Sequence, residues 1–284
     1  NRLAGIIVAA FGLVIALLSI AKVVPGITST GVIMIVFGGL IIGLSFIDKP
    51  EADGTERVST GSMFGNIFFS PSEVFRNLRR HPRWLVAVLL MSVLSATYTN
   101  LFLQRLGPDR VANFAIDKTL EMGMIANNEE AKKQIEAGRA QALADNKDPV
   151  HRAAQAVSNF VGLTVLFVVL AAIFMLFALA MGGKINFWQA FSVAVYASLP
   201  VSILRFLLNT ILLYVKNPDD IHPILGAQSL IQDNLNFLVL PAENPIIYTV
   251  LGTFSLLMFY WVWLNGIGLK NAGERVTGTV AWTA

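Results

Sequence analysis

Apolar residues in this chain fall into long unbroken runs, at residues 3–24, 31–47, 84–103, 160–181, 188–214 and 246–269. Most reach the roughly 20 residues that a helix needs to cross a bilayer. Between them lie polar intervals at 48–62, 105–157 and 216–244. The pattern predicts an all-α, polytopic transmembrane helical bundle of about six spans. The first two runs, joined by a tight turn over Pro25 to Thr30, predict a hairpin over 1–47. Gly39 and Gly43 form a small-xxx-small pair there, and Gly5/Ala9 and Gly12/Ala16 repeat the spacing, which lets helix backbones approach closely. Residues 48–67 read as a cytoplasmic linker, and 68–284 as a membrane domain.

The polar interval 105–157 carries eight Lys/Arg against eight Asp/Glu and reads as helical. One helix is expected from Pro108 to about Met122. A second follows Asn127-Asn128, with Glu129 and Lys133 as an i,i+4 pair. Asp148-Pro149 should cap a long helix that becomes the fourth span. Residues 216–244 mix Ile221, Ile224, Leu225, Ile231, Leu235 and Leu238 with polar residues, which suggests an interfacial helix.

The stretch from Phe68 to Trp84 organises the membrane domain. Ser70 and Glu73 have capping-box spacing, and Pro71 suits the first helical position. The helix they start sets Val74, Phe75 and Leu78 against Arg76, Arg79 and Arg80. It is expected to lie in the headgroup region, with Phe75, Arg76, Leu78, Arg79, Arg80 and Arg83 meeting lipid or a partner. Pro82 ends it, and from Trp84 the chain enters the bilayer.

Charge then sets the orientation. Arg2, Lys49, Arg57, the arginines at 76, 79, 80 and 83, Lys184, Lys270 and Arg275 fall on one side, which the positive-inside rule makes cytoplasmic. The N-terminus is therefore expected inside and the 105–157 insertion outside, in a cell (inner or plasma) membrane.

Only 14% of residues are charged and 55% are hydrophobic. Soluble domains carry about 25% charged residues, so an integral membrane protein is expected and nucleic-acid binding is not. Cysteine is absent, which removes disulfides and thiolate sites. The three histidines, His81, His151 and His222, are far apart in sequence, and Asp219, Asp220 and His222 read as turn formers ahead of ion ligands. No phosphate loop, nucleophile elbow or dinucleotide fingerprint occurs. Gly266-Ile267-Gly268 reads as a helix-end feature. No catalytic, cofactor-binding or metal-ligating set is therefore expected. No expected span contains Asp or Glu, so a carboxylate proton relay is excluded too.

One cation does fall inside a span. Ser198, Ser202, Arg205 and Asn209 recur at helical spacing and make an intramembrane polar stripe around Pro200, which should break the fifth span. An arginine at that depth costs about 2.5–3.5 kcal/mol on insertion scales. The stripe is expected to pack against Ser92, Ser95 and Thr99 of the third span. The alternative is an arginine that snorkels outward.

Ser70-Pro71-x-x-Val74-Phe75, the following Pro82-x-Trp84, Tyr196-Ala197-Ser198-Leu199-Pro200 and the run Trp261 to Gly268 together resemble the Yip (Ypt-interacting protein) integral-membrane family in its bacterial form. The resemblance covers about 68 to the C-terminus and leaves the first hairpin as an addition. It implies about five spans with a cytoplasmic N-terminal side. Eukaryotic relatives are associated with Rab GTPases and early secretory membranes. The acidic-Leu-Tyr-Gly-Pro motif of that branch is absent here, which counts against GTPase binding. Relatives carry one more span than this chain, and the chain opens Asn1-Arg2 without methionine, so sequence beyond both ends is expected. These features imply a non-enzymatic protein that binds or organises membrane lipids or other integral membrane proteins. A transporter or channel component using the broken fifth span is the alternative. An intramembrane enzyme has no residue set behind it.

Overall fold

A computed structural model describes residues 2–24, 26–48, 56–239 and 244–283. Pro25 of the expected turn, residues 49–55 of the expected linker and residues 240–243 of the third polar interval lie outside the described residues. The chain is all-α, with only isolated β-bridges outside its helices among the described residues. In order the helices are α1 Arg2–Ile20, α2 Thr28–Leu44, α3 Thr60–Phe69, α4 Pro71–Arg80, α5 Leu85–Leu106, α6 Pro108–Glu121, α7 Gly123–Ala126, α8 Glu129–Lys147, α9 Pro149–Ala180, α10 Phe187–Val215, α11 Leu225–Gln228, α12 Pro245–Thr253, α13 Leu256–Ala272 and α14 Gly278–Thr283.

Four of these, α1, α5, α9 and α10, are long and apolar enough to cross a membrane, and α2 is a shorter apolar helix of 17 residues. Their outward side chains are apolar: Phe11, Leu17, Val93, Leu166, Leu176 and Leu207 are all exposed. A protein in water would hide such surface, whereas lipid solvates it.

Two expectations about the spans change. Pro200 does not break α10, which is helical without interruption across its 29 residues. The expected sixth span is divided instead, at Phe254 and Ser255. Ser255 caps α13 by accepting from Met258 N at 3.0 Å, and Asp233 Oδ2 accepts from Leu257 N at 2.9 Å. A hydroxyl and a carboxylate thus satisfy the amides that a continuous helix would have used.

The described residues form two compact units. The first comprises 1–42, 92–161 and 205–231. Here α1 and α2 close a hairpin on glycine, but not on the expected pair. A Cβ on Gly5 would lie 2.7 Å from Gly38 O, and one on Gly12 would lie 2.7 Å from Gly31 O. Gly39 and Gly43 face open space. In the same unit α6 and α8 pair, with Arg139 bonded to Asp117 at 2.7 Å, Glu136 at 2.8 Å and Asn113 at 2.9 Å. Glu129 pairs with Lys132 at 2.9 Å, one residue earlier than expected.

Residues 216–231 form no interfacial helix. A single 3-10 turn and the four residues of α11 fold back, and Ile221 and Leu230 bury against Tyr98, Phe102, Leu106 and Leu213. Tyr98 Oη donates to Gly226 O at 2.6 Å.

The second unit comprises 43–91, 162–204 and 232–284. Its core joins Met63, Ile67, Phe75, Leu78, Phe191, Tyr196, Leu264 and Leu269, all at most 1% exposed. Trp188 Nε1 donates to Ile47 O at 3.0 Å and Asn186 Nδ2 to Asp48 O at 3.1 Å, which fixes the start of the linker to the start of α10.

Candidate functional site

In the second unit α4 and the end of α13 share one charged surface. Pro71 opens α4 as expected, with a fixed φ suited to a helix start. The expected capping box does not form: Ser70 makes no side-chain cap, and its carbonyl accepts from Glu73 N at 3.1 Å. Glu73 in the first turn and Arg79 and Arg80 in the last complement the helix dipole.

The apolar side of α4 faces protein, not lipid. Val74, Phe75 and Leu78 are at most 3% exposed, and α4 packs on α13. Gly268 makes room for this. A Cβ there would lie 2.5 Å from Val193 Cγ1 and 3.1 Å from Phe75 Cε1. Phe75 and Leu78 therefore anchor the helix to its neighbour. The expectation that they dip into the headgroup layer is corrected by this burial.

The polar side is turned outward, and its arginines differ in what they do. Arg83 Nη2 donates to Val58 O at 2.6 Å and Asn77 Oδ1 at 2.8 Å, and so ties the incoming segment to α4. Burial pulls its guanidinium below the ordinary value. Arg79 pairs with Glu274 at 3.4 Å, while its carbonyl accepts from Gln189 Nε2 at 2.8 Å. Arg76 Nε donates to Asn271 Oδ1 at 3.2 Å, which orients the guanidinium. Arg76, Arg79, Arg80 and Lys270, with Glu73, Asn77 and Asn271, line an open recess of about 530 Å³.

The intramembrane stripe divides between partners. Ser198 Oγ accepts from Trp261 Nε1 at 2.8 Å and donates to Ala194 O at 2.8 Å. Asn209, only 2% exposed, accepts from Leu230 N at 2.8 Å and Ile231 N at 3.0 Å. Ser202 is half-buried, and Arg205 is exposed and has no partner among the described residues. On the third span Thr99 Oγ1 donates to Ser95 O at 3.1 Å, and Ser92 Oγ is buried without a hydrogen bond. Among the described residues, neither Arg205 nor Asn209 is bonded to Ser92, Ser95 or Thr99.

A second hollow, of about 300 Å³, lies within the first unit beside Thr30, Asn100, Asp145, His151, Arg152 and Ser158. His151 Nδ1 bonds Asp148 Oδ2 at 2.7 Å, and its Nε2 lies 3.4 Å from Asp145 Oδ1. The histidine bond and the Val150 amide hold the Asp148 carboxyl below its usual range. Among the described residues no three His, Asp or Glu side chains are arranged to hold a metal. Asp219 is engaged by Arg110 at 3.1 Å, and His222 Nδ1 accepts from Ile224 N and Leu225 N at 3.2 Å.

Sequence reasoning missed Gln189, Asn265 and Asn271. Gln189 and Asn265 are buried, and Asn271 is bonded within the protein. Isolated amides in otherwise apolar stretches were the available signal, since a buried amide must find a partner. The stretches that carry the resemblance do converge. Phe75 seats on Gly268, and Ser198 meets Trp261, all within the second unit.

A family model described as the Yip1 domain matches residues 65–284. No curated protein and no solved structure matches the chain.

Proposed function

The chain belongs to the Yip1 domain family, a generally non-enzymatic family of multi-pass membrane proteins, and from that premise we propose that it acts by binding. In this reading it is a scaffold, assembly factor or accessory subunit that organises other integral membrane proteins and lipids. It is of the bacterial type and resides in the cell membrane, with its N-terminus and the α4 face cytoplasmic. The hairpin over 1–47 is an addition joined through 48–67 to the family domain 68–284.

One observation carries the reading. An amphipathic helix has its apolar side consumed by α13, and it presents Arg76, Arg79 and Arg80 outward shortly before the long apolar helix α5 begins at Leu85. Such a rigid basic face is built to recognise acidic groups at a membrane surface. Recovery from mild detergent with other membrane proteins, lost in an Arg76→Glu/Arg79→Glu/Arg80→Glu variant that still inserts, is the expected result. A chain recovered alone and monomeric at every concentration would sink the proposal. The transport reading loses its main support, because α10 is continuous through Pro200.

A further inference from the structure

Arg205 lies within α10, a helix long and apolar enough to cross a membrane, and its nearer end is at Val215. At 1.5 Å per residue that end is about 15 Å away. Tyr214 marks it: its ring lies 5.7 Å from the guanidinium carbon of Arg105, a pairing suited to a membrane interface. Arg205 is exposed and, among the described residues, has neither a hydrogen bond nor an ion pair. Apolar side chains flank it on the exposed side. Leu208, Ile211 and Val215 are 43%, 58% and 76% exposed, and with Arg205 they fall within an arc of about 120° around the helix. Asn209 and Leu213 turn the other way and are buried. The outcome is a lipid-facing apolar strip with one cation set deep in it. Escape to a lipid phosphate is opposed by helix geometry. Helical side chains lean toward the helix N-terminus, which for Arg205 is the more distant end.

We infer that the strip of Arg205, Leu208, Ile211 and Val215 is the docking surface for a transmembrane helix of another protein that carries Asp or Glu at the depth of Arg205. The inference rests on the reading above that the chain organises other integral membrane proteins, and it adds a surface separate from α4. Charge complementarity selects this occupant. A cation held in hydrocarbon needs an anion at the same depth, and a guanidinium fork matches the two oxygens of a carboxylate. Leu208, Ile211 and Val215 then pack against the apolar remainder of the incoming helix. A second copy does not meet the demand, because none of α1, α2, α5, α9, α10, α12 or α13 contains Asp or Glu.

The test places the intact chain in phosphatidylcholine vesicles with a leucine-rich peptide of about 20 residues, long enough to span. The peptide carries Asp at its centre, and matched peptides carry Leu or Lys there. Leu208→benzoylphenylalanine, one turn from Arg205, captures whichever peptide occupies the strip when illuminated. Half-maximal capture of the Asp peptide is expected at roughly five- to thirtyfold lower peptide-to-lipid ratio than the Leu peptide, the range of polar helix–helix bonds in membranes. The Lys peptide should be captured least. Arg205→Leu should bring the Asp and Leu peptides together, and Arg205→Lys should keep their order. The ranking of peptides on the otherwise unaltered chain needs no change at Arg205, so a variant that folds poorly does not decide the matter. Equal capture of the Asp and Leu peptides overturns the proposal. So does an Asp preference erased by added phosphatidylglycerol, which would assign Arg205 to lipid phosphate. Partners recovered through α4 alongside indifference to the peptides refute this surface alone. Selective capture of the Asp peptide by a chain that purifies without partners refutes the scaffold role and leaves this surface standing.

Discussion

Replacing Gly31 by alanine should separate the first two helices, whereas the same change at Gly39 should not. A Cβ on Gly31 would sit 2.6 Å from Ala16 N, 2.8 Å from Gly12 O and 2.9 Å from Ala16 Cα, all backbone atoms. None of them can rotate away, so the helices must part by roughly 1 Å to restore ordinary contact near 3.5 Å. Overpacking of this kind costs about 1–3 kcal/mol. Alanine also gains about 1 kcal/mol over glycine in a helix interior, which masks part of the loss. Gly39→Ala collects the same gain and meets nothing within 4 Å. The difference between the two variants therefore isolates the packing term. At about 2–4 °C per kcal/mol, Gly31→Ala should melt roughly 2–12 °C below Gly39→Ala. Membrane proteins unfold irreversibly in detergent, so both are read at one heating rate by the loss of the monodisperse gel-filtration peak. Coincident curves, or a lower midpoint for Gly39→Ala, would refute the hairpin geometry.

Three further outcomes are expected. Ser59→Cys and Ala140→Cys, made in a chain without cysteine, should label from opposite faces of intact cells with an impermeant maleimide; labelling from one face removes the proposed topology. Asn209→Ala strands the amide of Leu230 at a cost of about 1–3 kcal/mol, while Ile231 N keeps its 3.2 Å bond to Ser229 Oγ, so hydrogen exchange should accelerate most at Leu230 while α8 is unchanged. Because the Asp148 carboxyl sits below its usual range, the stability it lends is present above its unfolded value near 4. It disappears as pH falls through the lower folded value. Wild type should therefore lose more thermal stability than Asp148→Asn on acidification below about pH 4, and parallel acid profiles would contradict the sign.

The apolar runs located most of the long helices because span length and hydropathy are properties of single segments. What segments do to each other was less visible. Gly5 and Gly12 are seven residues apart, as are Gly31 and Gly38, and seven residues return to one helix face after two turns. That matched pair of repeats is the real hairpin signal, and a search for spacing of four passed over it. The divided sixth span hid for a related reason. Ser255 is a good cap, but in a run as apolar as 246–269 one hydroxyl barely alters hydropathy, and its helper Asp233 lies far outside the window. At 216–231, short turns replaced the expected helix because Ile221 and Leu230 had deep apolar partners, and Asn209 offered an acceptor for the loop amides.

The arginine helix shows the same limit with a functional consequence. Amphipathicity states that one face of α4 must be buried, but bilayer and protein satisfy that demand equally well. The choice was settled by Gly268, more than 180 residues away, whose bare Cα admits the Phe75 ring. With Phe75 and Leu78 fully buried in protein, no apolar side chain of theirs remains to hold α4 in lipid. Any attraction of this face to a membrane or an acidic ligand must then be electrostatic. A helix anchored by hydrophobic insertion keeps its grip as salt rises, because apolar transfer is not screened. One held by exposed charges weakens as the Debye length falls from about 8 Å at physiological ionic strength to about 3 Å at 1 M. Recovery of other membrane proteins through the α4 face should accordingly fall steeply with added salt, while the fold persists, since the seat on α13 is apolar. Partner recovery that survives molar salt would mean that the arginines are not what binds.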